Sequence, residues 1–188
     1  LGTTGIVVPF SCSSWIHSIH RGIDVAIATK RSHVSGCTGS TSEKAVMDLY
    51  GLEEGDMLDM GDFAGGTLKY LREHPLPRLT IGGGFGKLTK LAMGHRDLHS
   101  GRSQVDMSWL AERLEELNAP TEVIEEAKTA NTANQILVRC LGRNIPLAEK
   151  IAYLARDEAL KILNGKTAVD VIIIDRPGNI IARSDIEK

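Results

Sequence analysis

Apolar residues along the chain recur with two periods. Between Ser11 and Thr29, Ile16, Ile19, Ile23 and Ala26 fall three or four apart, which predicts a helix with one greasy side and with His17, His20, Arg21 and Asp24 on or near another. Ser11 to Ser14 offer N-caps for it. Short apolar runs at Ile6–Val8, His33–Cys37, Asp56–Met60 and Arg78–Ile81 predict strands. Helices are predicted after three of them: one through about Tyr50, capped near Ser40 or Thr41 and ended by Gly51; one over Thr67–Glu73, stopped before Pro75; and one over Lys87–Met93.

From Asp106 onward the period is helical. Leu110, Leu114 and Leu117 form one stripe, and Val123, Ile124 and Ala127 begin another that runs on through Ile136, Leu137, Cys140 and Leu141. A third spans Pro146 to about Leu163. Polar Asn131, Thr132, Asn134 and Gln135 interrupt the second stripe, so that face either bonds to neighbouring backbone or lines a pocket. Ala168–Ile174, nearly all Val and Ile, predicts a strand buried on both faces, and Arg176-Pro-Gly-Asn179 turns it into Ile180–Arg183 as an edge hairpin.

Alternating strands and helices imply an α/β fold with three layers and a mostly parallel sheet, in which ligands sit beyond the strand C-termini. The chain reads as one domain over 1–188: βα units with glycine turns over 1–105, a helical segment over 106–165 and terminal strands over 166–188.

Composition narrows the function classes. With 188 residues and 42% hydrophobic content, the chain can build one sizeable core. A formal charge of -2 and a pI near 6.3 supply no basic field, which argues against nucleic acid as a partner. No apolar run approaches the roughly 20 residues of a membrane span. Three widely spaced cysteines, Cys12, Cys37 and Cys140, fit a reducing compartment and a cytoplasmic reading. The first residue is Leu and a strand-like run follows at once, so a piece of a longer chain is expected. A homo-oligomer is left open.

Three glycine-bearing turns each follow a strand: Thr38–Glu43, Gly61–Gly66 and Gly82–Gly86. Such turns let backbone approach a ligand, and the helix starts after them offer unpaired N–H groups to an anion. The same glycines would also serve for tight βα turns alone. Gly82–Thr89 fails as a P-loop, because no Gly stands five positions before Gly86 and Leu88 replaces the magnesium-binding Ser/Thr. It fails as G-x-G-x-x-G too, with Lys87 in the last position. His95-Arg-Asp-Leu-His99 lacks the glutamate of the zinc-protease motif. No metal site is expected.

The runs H-V-S-G-C-T-G-S-T-S-E (33–43), G-D-F-A-G-G-T-L-K-Y-L (61–71) and G-G-G-F-G-K-L-T-K-L (82–91) resemble the cobalt-precorrin-5B (C-1)-methyltransferases of anaerobic cobalamin biosynthesis. So do the opening G-T-T-G-I-V, the helix S-C-S-S-W-I-H-S-I-H-R-G-I-D-V, and the segments D-L-H-S and A-N-T-A. The resemblance covers nearly the whole chain in consistent order. It implies a Rossmann-like C-terminal portion, with another domain before the G-T-T-G turn missing here. It further implies transfer of a methyl group from S-adenosyl-L-methionine to a ring carbon of a cobalt-bearing tetrapyrrole.

On that resemblance, the methyl donor is expected among Gly36, Thr38, Gly39, Ser40, Thr41, Asp62, Gly65, Gly66, Gly82, Gly83, Gly84 and Gly86, where helix starts suit a carboxylate and Asp62 suits ribose hydroxyls. The carboxylate-rich acceptor is expected at Lys87, Lys90 and Arg102, chosen from a group that also holds Lys69, Arg72 and Arg96. His17, His20, His95 and His99 are candidates to meet cobalt or handle a proton, with His17, His20 and His99 taken as the catalytic set; each pair shares a helical face if its segment is helical. A non-catalytic corrinoid- or nucleotide-binding module, or another phosphate- or dinucleotide-binding α/β enzyme, remains as the alternative.

Overall fold

The computed structural model describes residues 11–187, so the expected strand at Ile6–Val8 lies outside the described residues. Within them the elements run α1 (Cys12–Ala28), β1 (His33–Cys37), α2 (Ser40–Tyr50), β2 (Met57–Leu58), α3 (Ala64–Glu73), β3 (Arg78–Gly84), α4 (Phe85–Ala92), α5 (Met107–Glu116), α6 (Thr121–Thr129), α7 (Ala133–Leu141), α8 (Leu147–Leu163), β4 (Ala168–Ile174) and β5 (Ile180–Arg183). The sheet order is β2-β1-β3-β4-β5. β2, β1, β3 and β4 are parallel and β5 returns antiparallel to β4, giving the α/β class and the edge hairpin.

Two apolar layers flank the sheet. On one face α2 packs Val46 against Cys37, Ile172 and Ile174. On the other, a larger cluster joins Ile19 and Ile23 of α1, Leu68 and Leu71 of α3, Leu88 and Leu91 of α4, the helices after residue 106 and the sheet residues Val34, Ile81, Val169 and Val171. All are essentially inaccessible, and each such side chain contributes roughly 1.5–3 kcal/mol of burial. β4 is buried along six of its seven residues, as its Val/Ile run predicts for a strand covered on both faces.

Boundaries differ where glycine was taken for turn. α3 starts at Ala64 and α4 at Phe85, so Gly65, Gly66 and Gly86 lie inside helices. β2 pairs over only two residues. The stripe from Val123 to Leu141 is two helices, broken at Ala130–Thr132, with the Thr132 hydroxyl accepting from the Gln135 amide at 3.3 Å. His95–His99 follows α4 as a non-helical strap, so that histidine pair does not share a helical face. Ser11 caps α1 by accepting from the Ser14 amide, but α2 is entered through Gly39, with Ser40 and Thr41 already helical.

The sheet's lower end is closed by its own side chains. Parallel register sets His33 beside Arg78, and Ser35 beside Thr80 beside Asp170. The buried Asp170 carboxylate accepts from Tyr50 at 2.5 Å, Thr80 at 2.8 Å and Arg78 at 3.2 Å, and His33 bonds Thr80 at 2.8 Å. Burial and then the Asp170 contact push the Tyr50 phenol up to about 12, while burial and the Arg78 charge lower His33.

Candidate functional site

At the opposite end, β1, β3 and β4 finish around a cavity of about 720 Å³. Thr38–Ser42 line it from the β1–α2 corner, Gly84–Lys87 and Lys90 from the β3–α4 corner, and Ile174–Arg176 from the end of β4. Gln104, Val105 and Met107 close one side. Asn131–Asn134 and Leu137 close another, so the polar break in the helical stripe lines a pocket and caps its own helix at once.

The glycines divide by what a side chain would meet. A Cβ at Gly39, Gly84 or Gly86 would have nothing within 4 Å, and all three line the cavity. Gly39 and Gly84 stand at the N-caps of α2 and α4 with no side-chain cap, so the first-turn amides at these two corners lack the acceptor that a Ser, Thr or Asp would supply. Gly36, Gly65, Gly82 and Gly83 instead face packed atoms. A Cβ there would come within 2.9 Å of Met60 Sδ, 2.5 Å of Arg96 Cβ, 2.7 Å of Cys37 Sγ and 2.7 Å of Thr38 Oγ1 respectively, while at Gly66 it would press on Ile16 at 3.3 Å. These five are close-approach glycines, and none lines the cavity.

Of the residues expected around the donor, the cavity therefore gathers Thr38, Gly39, Ser40, Thr41, Gly84 and Gly86, and leaves Gly36, Asp62, Gly65, Gly66, Gly82 and Gly83 outside its lining. The β2 corner turns at Gly61, whose φ of 51° is left-handed and whose amide donates to the Cys37 carbonyl at 3.1 Å. Asp62 is ion-paired with Lys87, and its carbonyl accepts from the Leu98 amide at 2.9 Å.

Two of the three expected acceptor cations reach the cavity. Lys87 does so while paired to Asp62. Lys90 is only 7% exposed, and its Nζ donates to the Leu98 carbonyl at 2.9 Å rather than to a carboxylate. Burial, and then the charge of Lys87, lower its pKa. A lysine in that position has donors to spare and gains from an arriving anion. Arg102 lies apart, paired with Asp97 and set 5.8 Å from the Phe63 ring.

The histidines are also elsewhere. His17 is exposed on α1, with its ring 6.0 Å from that of His20, and His20 stacks at 3.9 Å on Tyr70, its pKa lowered chiefly by burial. His99 closes a turn by accepting from the Gly101 amide at 3.0 Å. Among the described residues no three His, Cys, Asp or Glu side chains gather as a metal site.

Gln104, Val105, Met107, Ile174, Asp175 and Arg176 enter the lining without having been singled out. For Asp175 and Arg176 the position at the C-terminal end of the strongest strand was the available indication. Asp175 is held within its own turn, accepting from the Asn179 side-chain amide at 3.0 Å and from the backbone amides of Asn179 at 2.7 Å and Gly178 at 2.9 Å, bonds that lower its pKa.

Known proteins resemble this chain over nearly its whole length. Residues 97–185 match the family described as CbiD, C-terminal domain. A cobalt-precorrin-5B C(1)-methyltransferase of Brucella canis is 58% identical over 184 residues, covering 97% of this chain and 50% of that protein. Proteins of the same name from Paramagnetospirillum magneticum and Bradyrhizobium sp. are 56% and 54% identical over 96% and 97% of this chain and 50% and 49% of their own lengths. The chain thus spans about half the length of these curated relatives. No solved structure matches it.

Proposed function

Because the chain belongs to the cobalt-precorrin-5B C(1)-methyltransferase family, we propose that its cavity is the place where S-adenosyl-L-methionine and a carboxylate-bearing cobalt tetrapyrrole are brought together, and that the protein methylates C-1 of cobalt-precorrin-5B in cobalamin biosynthesis. One observation carries the reading: among the described residues, two helix starts that no side chain caps, three glycines with open space at Cβ, and a buried lysine without a carboxylate partner all converge on one cavity.

The lining fits a carboxylate-bearing donor. The starts of α2 and α4 receive an anion through backbone N–H groups and the helix dipole, and at Gly39, Gly84 and Gly86 the missing Cβ leaves room for the guest to touch backbone. When bound, the donor supplies a methyl group already activated on a sulfonium sulfur. Protein chemistry beyond that is positional. Transfer needs the acceptor carbon, methyl and sulfur held in line with water excluded, a task of orientation that requires no nucleophilic side chain.

Lys90 and Lys87 orient acceptor carboxylates in this reading, and the Thr132 to Asn134 segment closes the cavity opposite them. Asp62 acts by holding Lys87 in place. The one-domain division and a further domain beyond this half of the family's length belong to the same proposal, as does a cytoplasmic location consistent with three free cysteines. Among the described residues no helix is long and apolar enough to cross a membrane.

Calorimetry tests the reading. S-adenosyl-L-homocysteine should bind the chain while nicotinamide nucleotides do not, and Gly84→Val should abolish that binding with folding intact. Full affinity in Gly84→Val would sink the assignment. A binding module is the second reading, favoured by the positions of His17, His20 and His99 outside the cavity lining. Methyl transfer by the 188-residue chain alone would exclude it.

A further inference from the structure

A second, smaller cleft of about 200 Å³ opens between α3, the end of α4, the strap after it and α8. Lys69, Arg72, Arg96 and Lys161 line it, with Glu158 as the opposing carboxylate. Arg72 is held by Glu73 and Lys161 by Glu158. Lys69 and Arg96 have no carboxylate partner among the described residues. On a chain with a formal charge of -2, such a local surplus of cations is not a general property of the surface.

Arg96 is also held in place from behind. The Gly65 amide donates to the Arg96 carbonyl at 2.7 Å, and the absent side chain of Gly65 lets the strap lie against α3. The His95 amide donates to the Lys90 carbonyl at 3.0 Å, and the Leu98 amide to Asp62 at 2.9 Å. A guanidinium on so anchored a backbone loses less freedom on binding than one on a free loop. Gly65, expected to face the donor, thus sets an arginine into a different cleft.

We propose that this cleft is a second binding site, taking a small multivalent oxyanion: a compact polycarboxylate or a phosphate ester whose closely spaced oxygens bridge Arg96 and Lys69. The inference is independent of what fills the larger cavity. Glu158 acts as a competitor for Lys161 and sets the affinity.

Calorimetry on the 188-residue chain, with tricarballylate and inorganic pyrophosphate as separate titrants, tests this. A saturable isotherm is expected, weakened about tenfold or more by Lys69→Ala with Arg96→Ala, and weakened by added salt. Glu158→Gln should tighten binding severalfold, a gain that a variant damaged in folding does not produce. Binding in the larger cavity would instead survive the double variant and be lost in Lys90→Met. Preference for tricarballylate identifies the guest as a polycarboxylate, and preference for pyrophosphate as a phosphate ester. Either supports the site. Absence of saturation with both titrants, or affinities unchanged in the double variant and in Glu158→Gln, overturns it.

Discussion

Where β1, β3 and β4 begin, Tyr50, Arg78 and Thr80 converge on the buried Asp170 carboxylate, and His33 bonds Thr80. Where the same strands end, glycines replace side chains, two helices start uncapped and a buried lysine leans on a single carbonyl. One sheet therefore has an end where a buried carboxylate gathers partners from the protein itself and an end where polar groups line an open cavity. Under the proposed function, stability and binding lie at opposite ends of the strands, and substitutions at the two ends should change different observables.

Asp170→Ala should have the largest effect. It leaves Arg78, Tyr50 and Thr80 without their acceptor under α2, at a cost of about 3 kcal/mol or more, measured as a lowered urea midpoint, with ligand affinity of the folded fraction unchanged. Gly65→Ala comes next. Its Cβ would sit 2.5 Å from Arg96 Cβ and 3.1 Å from the Arg96 carbonyl oxygen, so overpacking outweighs any helical gain and costs roughly 1–3 kcal/mol. Gly86→Ala should go the other way. It lies in α4 with open space at Cβ, so thermal stability should rise by about 0.5–1 kcal/mol while S-adenosyl-L-homocysteine binds more weakly. Equal effects of the two alanines on stability would break the division of glycines into packed and open.

The smallest effect concerns pH. Burial lowers the folded-state pKa of His33 below its ordinary 6.5. Its stabilising contribution is thus fully present above pH 6.5 and is lost as pH falls through the lowered folded value. The urea midpoint should decline between pH 7 and 5 in the unmodified chain, and less in His33→Gln. The same decline in both would remove His33 from the closed end.

Legibility followed the range of the interaction. Hydrophobic period marked out strands and helices from α1 to the terminal hairpin, because a 3.6-residue or two-residue repeat is written locally and a buried face reads it directly. Helix starts at Ala64 and Phe85 were not legible, since a glycine inside a helix has no sequence mark that separates it from a glycine in a turn; packing against Ile16 and Arg96 makes Gly65 and Gly66 helical and close-packed. The break before Ala133 was visible as polar residues in an apolar stripe, whereas its arrival beside the corners of β1 and β3 was not.

By itself the sequence determined the α/β alternation and the mostly parallel sheet that it implies, the buried last strand, and enough ordered identity with one family to suggest its chemistry. Only the tertiary structure decided that Gly39, Gly84 and Gly86 open onto a cavity while Gly36, Gly65, Gly82 and Gly83 fill gaps, that Asp62 is occupied by Lys87, and that Lys90 faces the same space as Asn131 to Asn134. The reason is physical. A residue's place in a helix or strand depends on neighbours within a few positions, but what its side chain meets is set by segments brought together across the sheet.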